Sequence, residues 1–142
     1  MEDADTRAKA EQLNLQAEFR YIKIQSHIKV YGRRNAEMEQ EARNGIEFIE
    51  AALKLVPNSA KYLNTYALLL ADGLGQKKLA LEILERAAQL APDDIQLQQN
   101  IRGLKAPSQG CLVLCFGGIL ALTVGYVFAR GLQVTLALAS GG

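Results

Sequence analysis

The sequence predicts an all-α protein, in which a short bundle of helical hairpins is followed by one C-terminal membrane-spanning helix. Apolar residues recur at spacings of three and four through most of residues 4–105, as on amphipathic helices. Two similar segments, "GIEFIEAALKLVPNS" and "ALEILERAAQLAPDD", lie 35 residues apart. Residues 111–129 contain no charged side chain. These patterns predict stacked helix pairs and a membrane anchor.

The composition divides the 142 residues into five segments. We expect an N-terminal amphipathic helix (1–34), a helical domain (35–105), a linker (106–110), a membrane helix (111–130) and a short tail (131–142). The net charge of +1 gives no argument for binding nucleic acid. The acidic, polar start lacks the apolar core of a secretory signal.

The first helix is predicted over residues 4–31, and it ends before Gly32. Its apolar residues form one stripe with spacings of four and three: Ala17, Tyr21, Ile24, Ile28 and Tyr31. Leu15, Phe19 and Ile22 are expected to widen that stripe. Segments such as "FRYIKI" also alternate with period two, so a strand is the alternative over residues 15–31.

Four further helices follow from apolar periodicity and from residues that start or stop helices. They are expected over about residues 35–56, 59–71 and 77–90, and from a cap at Asp93 or Asp94 to about residue 104. Ser59 is a candidate N-cap. Pro57 and Pro92 follow the second and fourth helices, because proline cannot continue a helix.

The segment 59–94 resembles one tetratricopeptide repeat, since small and large apolar residues, a glycine turn and a final proline follow in that family's order. The preceding segment matches in its second helix only, so about one and a half repeats are present. The 35-residue spacing is one residue longer than the usual period of about 34. The resemblance implies a groove lined by the first helix of the pair, with these residues: Leu63, Asn64, Ala67 and Leu70.

Residues 111–129 are long enough, at 1.5 Å per residue, to cross a bilayer core of about 30 Å. Arg102 and Lys105 before this run outnumber Arg130 after it, which favours a cytoplasmic N-terminal domain. Small residues recur every four positions within the run, and they predict a face for packing against another membrane helix, of the same or a different protein. They are Gly117, Ala121, Gly125 and Ala129.

The two cysteines, Cys111 and Cys115, both lie in the apolar run. They are either ordinary small residues of a membrane helix or sites of S-acylation near a membrane surface. The sequence contains no set of zinc ligands, no phosphate-binding glycine loop and no catalytic constellation. We therefore expect no metal, no cofactor and no enzymatic activity.

Charge is segregated in the N-terminal third. Between residues 20 and 34 there are five basic residues and no acid: Arg20, Lys23, Lys29, Arg33 and Arg34. Five acids and a single base follow between residues 37 and 50. The two segments either pair with each other when the helices pack, or the basic one meets anionic lipid or an acidic partner.

The architecture is similar to that of tail-anchored fission adaptors of mitochondria and peroxisomes, which combine a short tetratricopeptide-like bundle with a C-terminal anchor. We expect a single-pass membrane protein whose partners are other proteins and the lipid bilayer, with no nucleic acid. The expected role is an accessory or structural subunit of a membrane complex. The alternatives are an adaptor that recruits soluble partners and a transient assembly factor.

Overall fold

Five α-helices and one π-helical turn form residues 3–106, the part of the chain that this computed structural model describes. They follow in the order α1 (Ala4–Tyr31), α2 (Ala36–Leu55), α3 (Ala60–Leu68), the π-helical turn (Leu69–Gly73), α4 (Lys77–Leu90) and α5 (Ile95–Lys105). The prediction of an all-α fold with packed hairpins is confirmed for this part. Residues 15–31 are helical, so the strand alternative is wrong there.

Local side-chain chemistry sets several helix ends close to the positions that the sequence predicted, although α3 ends at Leu68 and not near residue 71. Gly32 has φ of 68°, and its N–H donates to the last turn of α1. The side chains of Asn35 and Ser59 each accept a hydrogen bond from the backbone N–H three residues later, at 2.9 and 3.3 Å. Asp94 accepts two such bonds at the start of α5. These caps satisfy N–H groups that a helix start leaves unpaired.

Consecutive helices are antiparallel, so the turns gather at two opposite ends of the bundle. We call the end with the α1–α2 turn (32–35) and the turn before α4 (74–76) the first end. The α2–α3 turn (56–59) and the α4–α5 turn (91–94) form the second end. α1, α3 and α5 therefore all run toward the first end.

Two adjoining clusters of buried side chains form the core. One joins α1 and α2 to α3 and the π-turn, and it consists of Ala10, Ala17, Ile24, Met38, Ala42, Ile49, Ala52, Tyr62 and Leu69. The other joins α3 to α4 and α5, and it consists of Leu63, Ala67, Leu70, Ala71, Ala80, Leu84, Ala87, Leu97 and Ile101. Half-buried Ile46, Leu53 and Tyr66 contact both clusters. α1 thus covers a face that the hairpins alone would leave open.

The π-helical turn explains where the extra residue of the 35-residue spacing goes. The backbone N–H of Leu74 donates a hydrogen bond to the carbonyl oxygen of Leu69, five residues earlier, at 3.3 Å. A π turn accommodates one more residue than an α turn. Gly73, at its end, lies against Ala42 of α2 and Ile24 of α1, with no room for a side chain.

We predict that Gly73→Ala destabilises the bundle by about 1–3 kcal/mol, because the new Cβ would overlap the Cβ of Ala42. Gly103→Ala is the matched control, since a Cβ there meets nothing within 4 Å. The control should be neutral or stabilising by up to about 1 kcal/mol, as alanine favours a helix. Denaturant unfolding of the full-length protein, followed by circular dichroism, measures both. Equal unfolding midpoints for the two variants would contradict the close approach.

Candidate functional site

The residues predicted to line a partner groove are instead packed inside the bundle. Leu63, Ala67 and Leu70 belong to the core cluster between α3, α4 and α5. Asn64 accepts a hydrogen bond from the side-chain amide of Asn100 on α5, at 2.8 Å. α5 therefore covers these positions, and they offer no free surface to a partner in this conformation.

Two of the five predicted basic residues are paired with α2. Lys23 lies 2.8 Å from a carboxylate oxygen of Glu41 and 3.1 Å from one of Glu37. Arg20 also pairs with Glu41, and its guanidinium carbon lies 5.2 Å from the ring centre of Phe48. For these two residues, the alternative in which the charged segments pair with each other is confirmed.

The pKa values of this ion-pair group shift in the directions that pairing requires. The hydrogen bond from Lys23, aided by Arg20, lowers the pKa of Glu41 from its ordinary value, although partial burial acts the other way. The hydrogen bonds that Lys23 donates to Glu41 and Glu37 raise the pKa of Lys23. The charged forms of these groups thus favour the folded state.

The other three basic residues, Lys29, Arg33 and Arg34, are exposed at the first end. The guanidinium of Arg34 lies directly over Gly75, in the turn before α4. Lys77 and Lys78 follow that turn and are also exposed. The sequence did not reveal this grouping, because 43 residues separate Arg34 from Lys77.

Polar contacts also fasten α1 to α3 near the second end. Lys61 pairs with Glu11, whose other carboxylate oxygen accepts a hydrogen bond from the Tyr62 hydroxyl at 3.1 Å. The hydrogen bond from Lys61 lowers the pKa of Glu11, despite an opposing effect of burial. Within α1, the buried Asn14 donates to Glu18 at 2.8 Å, and Glu18 in turn lies 3.9 Å from Lys61 of α3. These contacts hold α1 at a fixed level along α3.

Near the first end, Asp72 of the π-turn accepts hydrogen bonds from Tyr21 at 3.0 Å and from Gln25. Burial, and then the neighbouring Asp72 carboxylate, raise the pKa of Tyr21 well above its ordinary value. Tyr21 therefore stays neutral and donates a hydrogen bond to Asp72. α1 is thus linked to the π-turn as well as to α2 and α3.

An exposed apolar stripe on α1 is the main surface that the sequence did not identify. Leu15, Phe19 and Ile22 were expected to widen the core-facing stripe, and this was wrong. Their exposed fractions are 54%, 73% and 60%. They lie on the side of α1 opposite Ala17 and Ile24, which are fully buried. The sequence contained a signal for this surface, because α1 carries apolar residues on both sides. A helix that only covers a bundle needs one apolar face.

A shallow depression runs beside this apolar stripe. Leu15 and Phe19 form its apolar part, and the remaining lining residues are Gln12, Gln16, Arg20, Lys23 and Glu41. Glu41 pairs with both cations and Glu37 also pairs with Lys23, so the two acids balance the two cations and the rim is close to electrically neutral. The depression therefore suits an apolar segment with neutral flanks better than a strongly charged ligand.

Several predicted sites lie outside the described residues. They are the packing face Gly117, Ala121, Gly125 and Ala129 and the cysteines Cys111 and Cys115. Within residues 3–106, no helix is both long enough and apolar enough to cross a bilayer. The same residues contain no group of three or more histidine, cysteine or acidic side chains that could hold a metal ion.

We predict that acidification weakens the α1–α2 ion pairs. Because the folded pKa of Glu41 is depressed, its contribution is present above its ordinary pKa of 4.5 and is lost as the pH falls through the lower folded value. Glu41→Gln should therefore lower stability near neutral pH and flatten the pH dependence below pH 4.5. Glu47→Gln, at an exposed position of α2, is the control. Urea unfolding at several pH values tests this, and parallel curves for wild type and Glu41→Gln would contradict it.

Comparison with known proteins assigns no family to this chain. No family model matches the chain, and no curated protein matches it. Its function must therefore be inferred from its own surfaces: the apolar stripe of Leu15, Phe19 and Ile22, and the exposed basic residues of the first end.

Proposed function

We propose that this protein is a non-enzymatic, membrane-anchored module for protein–protein interaction, and that it serves as an accessory or structural subunit of a membrane protein complex. The observation that carries the proposal is the apolar stripe. Leu15, Phe19 and Ile22 are exposed on a bundle whose core is complete without them. Exposed aromatic and aliphatic side chains in a row are typical of partner-binding surfaces.

The expected partner is an amphipathic helix with neutral flanks. The stripe follows helical spacings of four and three, so it can pack along an apolar helix face of matching period. Gln12 and Gln16 beside the depression can form hydrogen bonds with neutral polar groups at the rim. A strongly acidic partner is disfavoured here, because Arg20 and Lys23 already pair with Glu41.

The sequence of residues 111–129 supports the membrane part of the proposal. A run of 19 uncharged residues matches the bilayer core, and Arg102 and Lys105 before it favour a cytoplasmic bundle. In the proposal, the small residues at 117, 121, 125 and 129 pack against a neighbouring membrane helix. The resemblance to tetratricopeptide repeats and to tail-anchored fission adaptors agrees with a binding role.

A tail-anchored adaptor is the second candidate, and it would use the same apolar stripe for partners that exchange. The permanent subunit is preferred because Phe19 is 73% exposed in the bundle, and a constant partner would keep such a ring covered. Extraction in mild detergent separates the two roles. A stoichiometric complex that survives purification supports the subunit, whereas a monomer with exchangeable partners supports the adaptor.

We predict that Phe19→Ser weakens binding of the partner by about 2 kcal/mol or more, because a central aromatic anchor is lost. Ile95→Ser is a matched control, since Ile95 is also 73% exposed but lies on α5, at the second end. Co-purification from detergent-solubilised membranes measures the amount of partner retained. Both variants should keep the wild-type unfolding midpoint. A Phe19→Ser protein that retains its partner at the wild-type stoichiometry would exclude this surface.

We further predict that Gly117→Ile combined with Gly125→Ile disrupts association within the membrane, because branched side chains keep helices apart. Cross-linking in membranes reports the association. Leu112→Ile and Phe116→Ile serve as controls, because helical spacing places both residues opposite the small-residue stripe. Unchanged cross-linking in the double glycine variant would refute the packing face.

A further inference from the structure

We infer that the first end of the bundle lies against an anionic lipid surface. Its exposed basic residues come from two segments that are distant in sequence, the end of α1 with the turn after it and the start of α4. We call them the basic end: Lys29, Arg33, Arg34, Lys77 and Lys78. The inference deepens the proposed function, because it rests on the membrane anchor and specifies how the bundle meets the bilayer.

The tertiary fold brings these cations together. The guanidinium of Arg34 lies over Gly75, and Lys77 follows two residues later. Arg33, Arg34 and Lys77 line one depression around Gly75, and Lys77 and Lys78 line a second beside it. Neither residues 29–34 nor residues 73–78 contain an acid. The result is a concave cationic surface that neither segment forms alone.

Neighbouring acids neutralise part of this charge. Glu37 is engaged by Lys23, whereas Asp72 lines the first depression and accepts hydrogen bonds from neutral groups only, so it offsets one charge. The exposed Glu82 lies at the edge of the second depression and offsets one charge. Five cations thus exceed the three carboxylates of Asp72, Glu39 and Glu82, and this excess of positive charge attracts the phosphate groups of anionic headgroups.

The direction of α5 shows that the chain leaves the bundle toward this same end. α5 runs parallel to α3, and the hydrogen bond between Asn100 and Asn64 sets their relative level. Lys105, the last residue of α5, pairs with Glu85 of α4 at 2.9 Å. The apolar run starts six residues later in sequence, a reach of at most about 20 Å. α5 therefore directs the chain toward the basic end and away from the second end.

The two ends also differ in a way that favours lipid over an acidic protein. Val30, Tyr31 and Leu79 are exposed beside the cations, and cationic and apolar side chains together suit the headgroup region. At the second end, the exposed Ile95 instead adjoins the acids Asp93 and Asp94. Anionic lipid would repel these acids and attract the basic end.

The absence of tryptophan from the sequence allows a direct test. Val30→Trp and Ile95→Trp place one fluorophore at each end, at positions that are 72% and 73% exposed. The full-length variants are reconstituted into phosphatidylcholine vesicles with or without phosphatidylserine, with a dansyl-labelled lipid headgroup as acceptor. We expect stronger energy transfer from position 30 than from position 95 when phosphatidylserine is present.

Charge neutralisation provides the matched control. Arg33→Gln, Lys77→Gln and Lys78→Gln are combined in the Val30→Trp background, and Arg34 is kept because it packs on Gly75. Lys9→Gln, Lys54→Gln and Arg86→Gln remove the same charge from exposed sites elsewhere. The energy transfer from position 30 in excess of that from position 95 should fall by at least about half in the first triple variant. The same fall is expected in vesicles without phosphatidylserine and in high salt, whereas the second triple variant should show no fall.

Three results would overturn the inference. One is equal energy transfer from positions 30 and 95. Another is an excess of transfer from position 30 that stays the same in phosphatidylcholine vesicles and in the first triple variant. The third is a signal at position 30 that responds to added polyglutamate but not to phosphatidylserine, which would assign the basic end to an acidic protein. Flotation with vesicles after an alkaline wash reports the anchor separately. Failure to float contradicts the proposed function, whereas flotation without excess transfer contradicts the lipid contact alone.

Discussion

The packing of α1 against α2 is the contact on which the rest of the bundle depends. A pair of stacked helical hairpins cannot bury its apolar faces alone, and in repeat proteins a longer array supplies the cover. Here α1 supplies it. Ala10, Ala17 and Ala42 are fully buried, so small side chains at this contact allow the helices to approach closely. Gly73 extends the same close approach to the π-turn.

The position of α1 determines which charged residues remain available to partners. Arg20 and Lys23 face α2, and the acids there neutralise them. Such exposed or half-exposed pairs contribute little stability individually, but they fix how α1 is aligned along α2. Lys29 and Arg33 lie beyond the paired acids and stay exposed. The basic segment is thus divided into a structural part and a part that can bind anions.

The same placement separates two surfaces that would carry the proposed roles. The apolar stripe runs along the outer side of α1, where the depression beside it is nearly neutral. The basic end is formed by turns at the end toward which α5 leads the chain. A protein partner on the side and an anionic bilayer at the end would therefore not compete for the same residues. This arrangement suits a subunit held at a membrane while it supports a neighbouring protein.

The helices and their limits could be predicted from the sequence because they depend on local interactions. Asn35 and Ser59 cap helices through backbone groups three residues away, and Gly32 ends α1 through its own φ. The antiparallel hairpins could also be predicted from the sequence, because short turns join long segments in which apolar residues recur with helical spacing. Local chemistry alone was sufficient for each of these features.

Which face of each helix is covered depended on contacts between distant segments. α5 closes over Leu63 and Ala67, so the predicted groove became core. Phe19 lies outside because Ala17 and Ile24, on the other side of α1, meet α2. Arg34 and Lys77 share one surface because the turns that carry them meet at Gly75. Residue spacing defines the faces of a helix, but only tertiary packing decides which face is buried and which remains free to bind.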